Sequence, residues 1–143
     1  MEYSVKKAVE TFKGDSFAME ACKIEILDVA DGYAKCCFMA DESHKNARGA
    51  VMGGALFTLA DFTFAIAANF NKDHETVTNV SSISFLRPAL EGRITAESKQ
   101  LREGKRACTY QINITDEKGE LLAIVTINGM HVAPKMHKTE EEK

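Results

Sequence analysis

The run Gly49-Ala50-Val51-Met52-Gly53-Gly54-Ala55-Leu56-Phe57-Thr58-Leu59-Ala60-Asp61-Phe62-Thr63-Phe64-Ala65-Ile66-Ala67-Ala68-Asn69-Phe70 decides the fold. Beyond Gly54 it is rich in Ala, Leu and Phe and contains neither Pro nor a further Gly, which predicts a helix. Apolar residues fall on every side, so this helix is expected to be surrounded by protein. Asp61 is its one formal charge, and burying an unpaired carboxylate is expensive. A membrane span of this length would carry Asp61 near its middle at about 2.5–3.5 kcal/mol, so membrane insertion is not expected. The plain alternative to a functional Asp61 is a core helix whose carboxylate only caps or pairs.

The rest of the chain is that of a globular protein. Its 143 residues fit one domain, expected over residues 1–133, with a polar tail over 134–143. Hydrophobic residues at 45% and charged residues at 27% are ordinary for a water-soluble domain. A net charge of −3 without a basic block gives nucleic-acid binding no electrostatic support. The first residues, Met1 to Lys13, lack an apolar core of signal-peptide length, so a cytoplasmic location is expected. Cys22, Cys36, Cys37 and Cys108 form no CxxC pair and are expected to be reduced structural thiols. The four histidines (44, 74, 131 and 137) show no ligand spacing, so neither a metal nor another cofactor is expected.

Working outward from the central helix, Ser4 to Phe12 has apolar residues at helical spacing and predicts a short amphipathic helix. Cys22 to Val29 alternates apolar and charged residues as a strand does, and Asp31-Gly32 turns it into a second strand, Tyr33 to Met39. A polar loop, Asp41 to Gly49, leads into the helix. After it come four strand-like runs at 76–86, 93–102, 106–115 and 121–132, separated by turn residues. The expectation is an α+β domain whose last four strands form an antiparallel meander, their turns being too short for crossovers. Only the central helix is apolar enough to cover a sheet face. A curved six-stranded antiparallel sheet wrapped around it is the natural solution.

Gly53-Gly54 opens this helix, where backbone N–H groups have no intrahelical partner and glycine admits a close ligand. Those donors and the positive end of the helix dipole suit a developing oxyanion. Asp61 lies eight residues beyond Gly53, about 12 Å along the axis. One small carbonyl cannot touch both within a single helix. If both act on it, Asp61 must come from a second copy, as a two-fold dimer would supply.

The segment His44-Lys45-Asn46-x-x-Gly49-x-x-Met52-Gly53-Gly54 followed by Leu59-Ala60-Asp61 resembles the signature of hotdog-fold acyl-CoA thioesterases. It is most similar to the phenylacetate-degradation type, akin to the 4-hydroxybenzoyl-CoA thioesterases. Ile83 to Pro88 and Arg102 to Lys105 extend the resemblance, which runs from about His44 to about Val132. The resemblance implies a hotdog fold, hydrolysis of an acyl-CoA thioester, coenzyme A as part of the substrate, and a homodimer or dimer of dimers. Gly53 would donate its N–H to the thioester carbonyl, and Asp61 of the partner subunit would act as nucleophile or general base. Asn46 would position water or the carboxylate, and Thr78 would bring a hydroxyl near the nucleophile. Arg87, Lys99, Arg102, Lys105 and Arg106 are candidates for the coenzyme A phosphates, and Phe57, Phe62 and Phe64 for the acyl chain.

Each assignment has a plainer counterpart. Asn46 suits a loop cap, Thr78 an ordinary strand position, the basic residues solvated strand ends, and the phenylalanines a core. One departure stands out: such sequences usually carry His-Gly-Gly, and here Met52 precedes the glycines. Methionine offers no strong hydrogen-bond donor, and losing such a group commonly lowers a rate by about 10²–10³. A non-catalytic acyl-CoA binding or sensing protein is the alternative that Met52 favours. A hotdog hydratase is weaker still, because no matching Asp and His pair is apparent.

Overall fold

A computed structural model describes residues 2–134. In chain order the elements are α1 (Val5–Phe12), a π-helical turn (Phe17–Ala21), β1 (Glu25–Ala30), β2 (Tyr33–Ala40), a 3-10 turn (Glu42–His44), α2 (Gly53–Asn69), β3 (His74–Phe85), β4 (Gly92–Glu103), β5 (Ala107–Thr115) and β6 (Leu121–Pro134). Pro134, expected to begin the tail, instead ends β6 and pairs with His74. The remainder of the expected tail lies outside the described residues.

The six strands form one antiparallel sheet in the order β1-β2-β4-β5-β6-β3. This corrects the expected four-strand meander: β4, β5 and β6 are sequential neighbours, but β3 pairs with β6 at the far edge. The turn-length argument fails on distance. Three strand spacings amount to about 14 Å, and the six residues between β3 and β4 can span about 20 Å when extended. The connection runs along the end of the sheet, where Val51 N–H donates to the Ala89 carbonyl at 2.8 Å and Leu86 N–H to that of Leu122 at 2.8 Å.

Packing follows from strand alternation. In β5 the residues Cys108, Tyr110, Ile112 and Ile114 are buried while those between them are partly open. Ile94, Ala96, Val125 and Ile127 continue the same inner face, against which α2 sets Leu56, Leu59, Ala60, Phe64 and Ala67. Phe64 meets the Tyr110 ring edge-on, with centroids 5.4 Å apart. At Gly129 of β6 the packing against the helix is tight: a Cβ would stand 2.8 Å from Phe64 Cζ and 2.8 Å from Thr76 Cγ2. α1, capped by the Ser4 hydroxyl accepting from Lys7 N–H, closes the far side of α2 through Phe12 on Phe62 and Phe70.

The four cysteines are buried and unpaired, as expected of structural thiols. Burial pushes the Cys36 thiol up to about 12, which leaves it inert near neutral pH. No helix among the described residues is long and apolar enough to cross a membrane.

Candidate active site

Two half-sites lie on α2, one at its first turn and one midway along it. The loop before the helix is pinned by His44, which is buried and stacked on Phe38 with ring centroids 4.2 Å apart. Asp41 N–H donates to His44 Nδ1 at 3.1 Å, so Nε2 carries the proton and donates to the Cys22 carbonyl at 2.7 Å. Both ring nitrogens are thereby engaged, and His44 is a structural pin. Asn46 stands one turn further on. Its Oδ1 accepts from Arg48 N–H at 2.9 Å and from Ala50 N–H at 3.2 Å, an Asx-type turn that shapes the approach to the helix.

Met52 is the N-cap residue, extended at φ −62° and ψ 139°, with no side-chain cap. The N–H groups of Gly53 and Gly54 accordingly have no partner among the described residues. Gly53 borders a cleft of about 440 Å³ that is also lined by Val51, Leu56, Phe85, Leu86, Arg87, Pro88 and Ala89. The Phe85 ring lies over Gly53, where a Cβ would sit 2.8 Å from Phe85 Cζ. Met52 itself is largely exposed and turns no polar atom toward this cleft.

The second half-site surrounds Asp61. Within one chain, α2 leaves Gly54, Thr58, Asp61 and Ala65 wholly or partly open, a stripe at helical spacing. Asp61 borders a cavity of about 290 Å³ with Asp15, Ser16, Phe17, Ala18, Thr58, Phe62 and Ala65. The Thr78 hydroxyl lies close enough to the Asp61 carboxylate to lower its pKa, so the fold sets these two predicted residues near one another. A bulge in β3 just after Thr78 alters the pairing with β6 at this point. The crowded surroundings push the Asp61 pKa above its ordinary value; the Thr78 hydroxyl pulls it down, and the Asp15 charge pushes it up again.

Sequence reasoning missed Asp15 and Phe17. The signal was faint, an exposed Phe in a short segment between the first helix and the first strand. Gly53 and Asp61 of one chain open into different cavities, as their axial offset requires. The basic candidates also divide. Arg87 lines the glycine cleft and sits 3.7 Å from Glu120, while Lys99, Arg102, Lys105 and Arg106 are exposed toward the opposite end of the sheet. Phe62 and Phe64 are core residues, and Phe57 is partly open.

The sequence pattern of the thioesterase superfamily matches residues 48–123, from just before the glycine turn to the start of β6. The chain belongs to the thioesterase superfamily. Acyl-coenzyme A thioesterase PaaI of Escherichia coli is 30% identical over 114 residues, covering 79% of this chain and 80% of that one. The structure of the PaaI protein from the E. coli phenylacetic acid degradation operon superposes with a TM-score of 0.80 over 94% of this chain and 100% of that one, at 24% identity. A hypothetical thioesterase protein from Streptococcus pneumoniae, solved with coenzyme A, superposes with a TM-score of 0.79 over 90% of this chain and 99% of that one, also at 24% identity. The sheet-around-helix architecture is thus the hotdog fold of that superfamily. The matched residues span both half-sites, Gly53 with its cleft and Asp61 with Thr78.

Proposed function

We propose that this protein hydrolyses an acyl-CoA thioester to the free acid and coenzyme A, at a site shared by two subunits. The observation that carries the reading is the division of α2 into an uncapped glycine turn and a carboxylate–hydroxyl pair about 12 Å along the same helix. An antiparallel copy of the helix would set one subunit's Asp61 opposite the other's Gly53. The open stripe on α2 suits such a neighbour. So does β3, a free edge strand of 12 residues exposing Val77, Val80 and Phe85, which invites pairing with another chain. Homology to PaaI and the likeness to a coenzyme A-bound thioesterase support acyl-CoA as the substrate class.

In this reading the thioester carbonyl lies in the cleft at Gly53, whose N–H stabilises the oxyanion as it forms. The partner's Asp61 either attacks the carbonyl carbon or takes a proton from water that does so. The thiolate of coenzyme A then leaves; where Asp61 attacked, water hydrolyses the acyl–aspartyl anhydride so formed, which releases the acid and restores the carboxylate that Thr78 orients. Asn46 shapes the loop beside the oxyanion turn, and Arg87 is the basic residue nearest the cleft for a phosphate. Lys99, Arg102 and Lys105 would reach such a phosphate only from another subunit.

The test is thiol release from short, long and aromatic acyl-CoAs by two variants, alone and coexpressed. Asp61→Asn removes the carboxylate. Gly53→Pro removes the N–H at a first helical position whose backbone accepts proline, behind a residue already extended, and its ring displaces the exposed Phe85 ring that lies over this turn. Each alone is expected to be nearly inactive, whereas coexpression is expected to recover about a quarter of wild-type activity, because half of the randomly formed dimers then hold one intact site of two. No recovery in verified heterodimers would exclude a shared site. Met52 favours a second reading, an acyl-CoA binder without turnover; tight binding with no thiol release on any substrate establishes that instead.

The pKa of Asp61 adds an independent prediction. An ionised carboxylate is required, so kcat/KM falls as pH drops through its raised pKa. Thr78→Val deletes the interaction that lowers this pKa, and the acid limb is expected to move to higher pH. Asp15→Asn deletes one that raises it and moves the limb down. Superimposable pH profiles for all three proteins contradict the assignment of Asp61.

A further inference from the structure

At the end of the sheet remote from Gly53, the fold gathers three side chains that the catalytic reading does not use. His74 begins β3, Glu103 ends β4 and His131 lies near the end of β6. One ligand atom from each lies within 4.8 Å of the other two. The histidine rings stand with centroids 4.2 Å apart, and His131 Nε2 is 2.5 Å from Glu103 Oε1. No motif spacing announces the group, since its members come from three strands that only the folded sheet brings together.

The geometry points to a binding site for one divalent transition-metal ion, Zn²⁺ being the natural occupant, ligated by His74, Glu103 and His131. Two imidazoles and one carboxylate are a nitrogen-rich, borderline-soft set that suits the Zn²⁺ end of the first transition series and does not suit Mg²⁺ or Ca²⁺. Ligand bonds of about 2.0–2.2 Å place tetrahedral ligand atoms about 3.3 Å apart. Reaching that geometry asks the partly open His74 and Glu103 to close on the nearly buried His131, with the ion entering between Glu103 and His131.

The outer partners metal-bound histidines need are already in place. Thr76 Oγ1 lies 2.6 Å from His131 Nδ1, which can keep its proton there and leave Nε2 as the ligand. Thr76 is itself held by Asn69, whose Oδ1 accepts from Thr76 N–H at 2.8 Å. Asp73 Oδ1 lies 3.3 Å from His74 Nδ1 and gives that ring the same tautomer. The site also follows the C-terminal turn of α2, the end of a helix that favours a cation. Lys72, the cation that Glu103 feels, is engaged by Asp31. The ion ties the first residue of the edge strand to β6 and β4, and leaves a fourth position for water.

The test is Zn²⁺ titration of the chelator-stripped full chain by calorimetry, with Co²⁺ as a spectroscopic probe. One ion per chain is expected, with d–d bands of nitrogen and oxygen ligation and a melting temperature that rises on loading. His74→Gln, Glu103→Gln and His131→Asn are each expected to weaken Zn²⁺ by about 100-fold or more, and Thr76→Val, which spares all three ligands, by about 10–100-fold. The triple ligand variant is expected to lose the thermal shift. Glu103→Gln and His74→Gln change partly open side chains, so their folding is secure and checked by circular dichroism. Binding that stays within about twofold of wild type in the folded ligand variants, or a thiolate-to-Co²⁺ charge-transfer band, overturns the site.

Discussion

Asp61→Asn is expected to lower kcat by at least about 10²–10⁴-fold on any acyl-CoA the wild type hydrolyses, the range for loss of a positioned base or nucleophile. The amide keeps the size of the carboxylate and an oxygen for the Thr78 hydroxyl, so the cavity beside Phe17 is preserved. Stability is expected to move the other way. Crowding raises the folded-state pKa of Asp61, so the folded chain holds that proton more tightly than the unfolded chain does. The ionised carboxylate then weighs against folding, and increasingly so as pH rises from the unfolded pKa through the folded one. Asparagine removes that burden, and the melting temperature at pH 7 is expected to be equal or higher. Steady-state kinetics beside thermal melts check both halves. An unchanged kcat with an intact fold would falsify the role of Asp61, and a marked loss of stability would contradict the stated cause of its pKa shift.

Gly129→Ala is expected to be the most damaging single-methyl change in the sheet. The new Cβ meets Phe64 Cζ and Thr76 Cγ2 at 2.8 Å and Cys108 Sγ at 3.0 Å, from three different elements. Phe64 cannot retreat, because its ring is buried against Tyr110. Overpacking of this kind destabilises by about 1–3 kcal/mol, and the upper half of that range applies where three neighbours must move. For a chain of this size that is a fall in melting temperature of about 6–10 °C. Phe64→Leu in the same chain opens space at the contact and is expected to recover part of the loss, a coupling that a double-mutant cycle measures. A melting temperature within about 1 °C of wild type would show that the helix is not pressed against β6 at this point.

Local chemistry carried most of what the sequence revealed. Asp31-Gly32 turned the first hairpin, alternation marked its first strand, and Asp61 stood out because nothing near it in sequence was charged. What escaped was set by contacts distant in sequence. Hydropathy taken over the whole helix concealed the stripe of Gly54, Thr58, Asp61 and Ala65, since small residues count as apolar and yet cover little surface. Thr78 was singled out only by the family resemblance, since nothing in its local sequence distinguishes it from an ordinary strand threonine; β3 sets its hydroxyl near Asp61. The position of β3 was misjudged because a short connection was equated with a neighbouring strand, whereas a curved sheet lets six residues pass along its end. The lone glycine at 129 was the one strand signal available for the close approach of the helix.

The placement of β3 also orders events during synthesis. Its residues pair only with β6, whose partners lie 38 to 60 positions further along the chain. Until the last strand has left the ribosome, the 12 residues of β3 have neither edge paired. The β1–β2 hairpin and the β4–β5 pair can form from local contacts much earlier, whereas joining β3 to β6 and β2 to β4 needs partners distant in sequence, and these late closures slow folding. A chain stopped before Leu121 would present an unpaired hydrophobic strand to every other copy around it, and aggregation, rather than a smaller folded domain, is its natural fate.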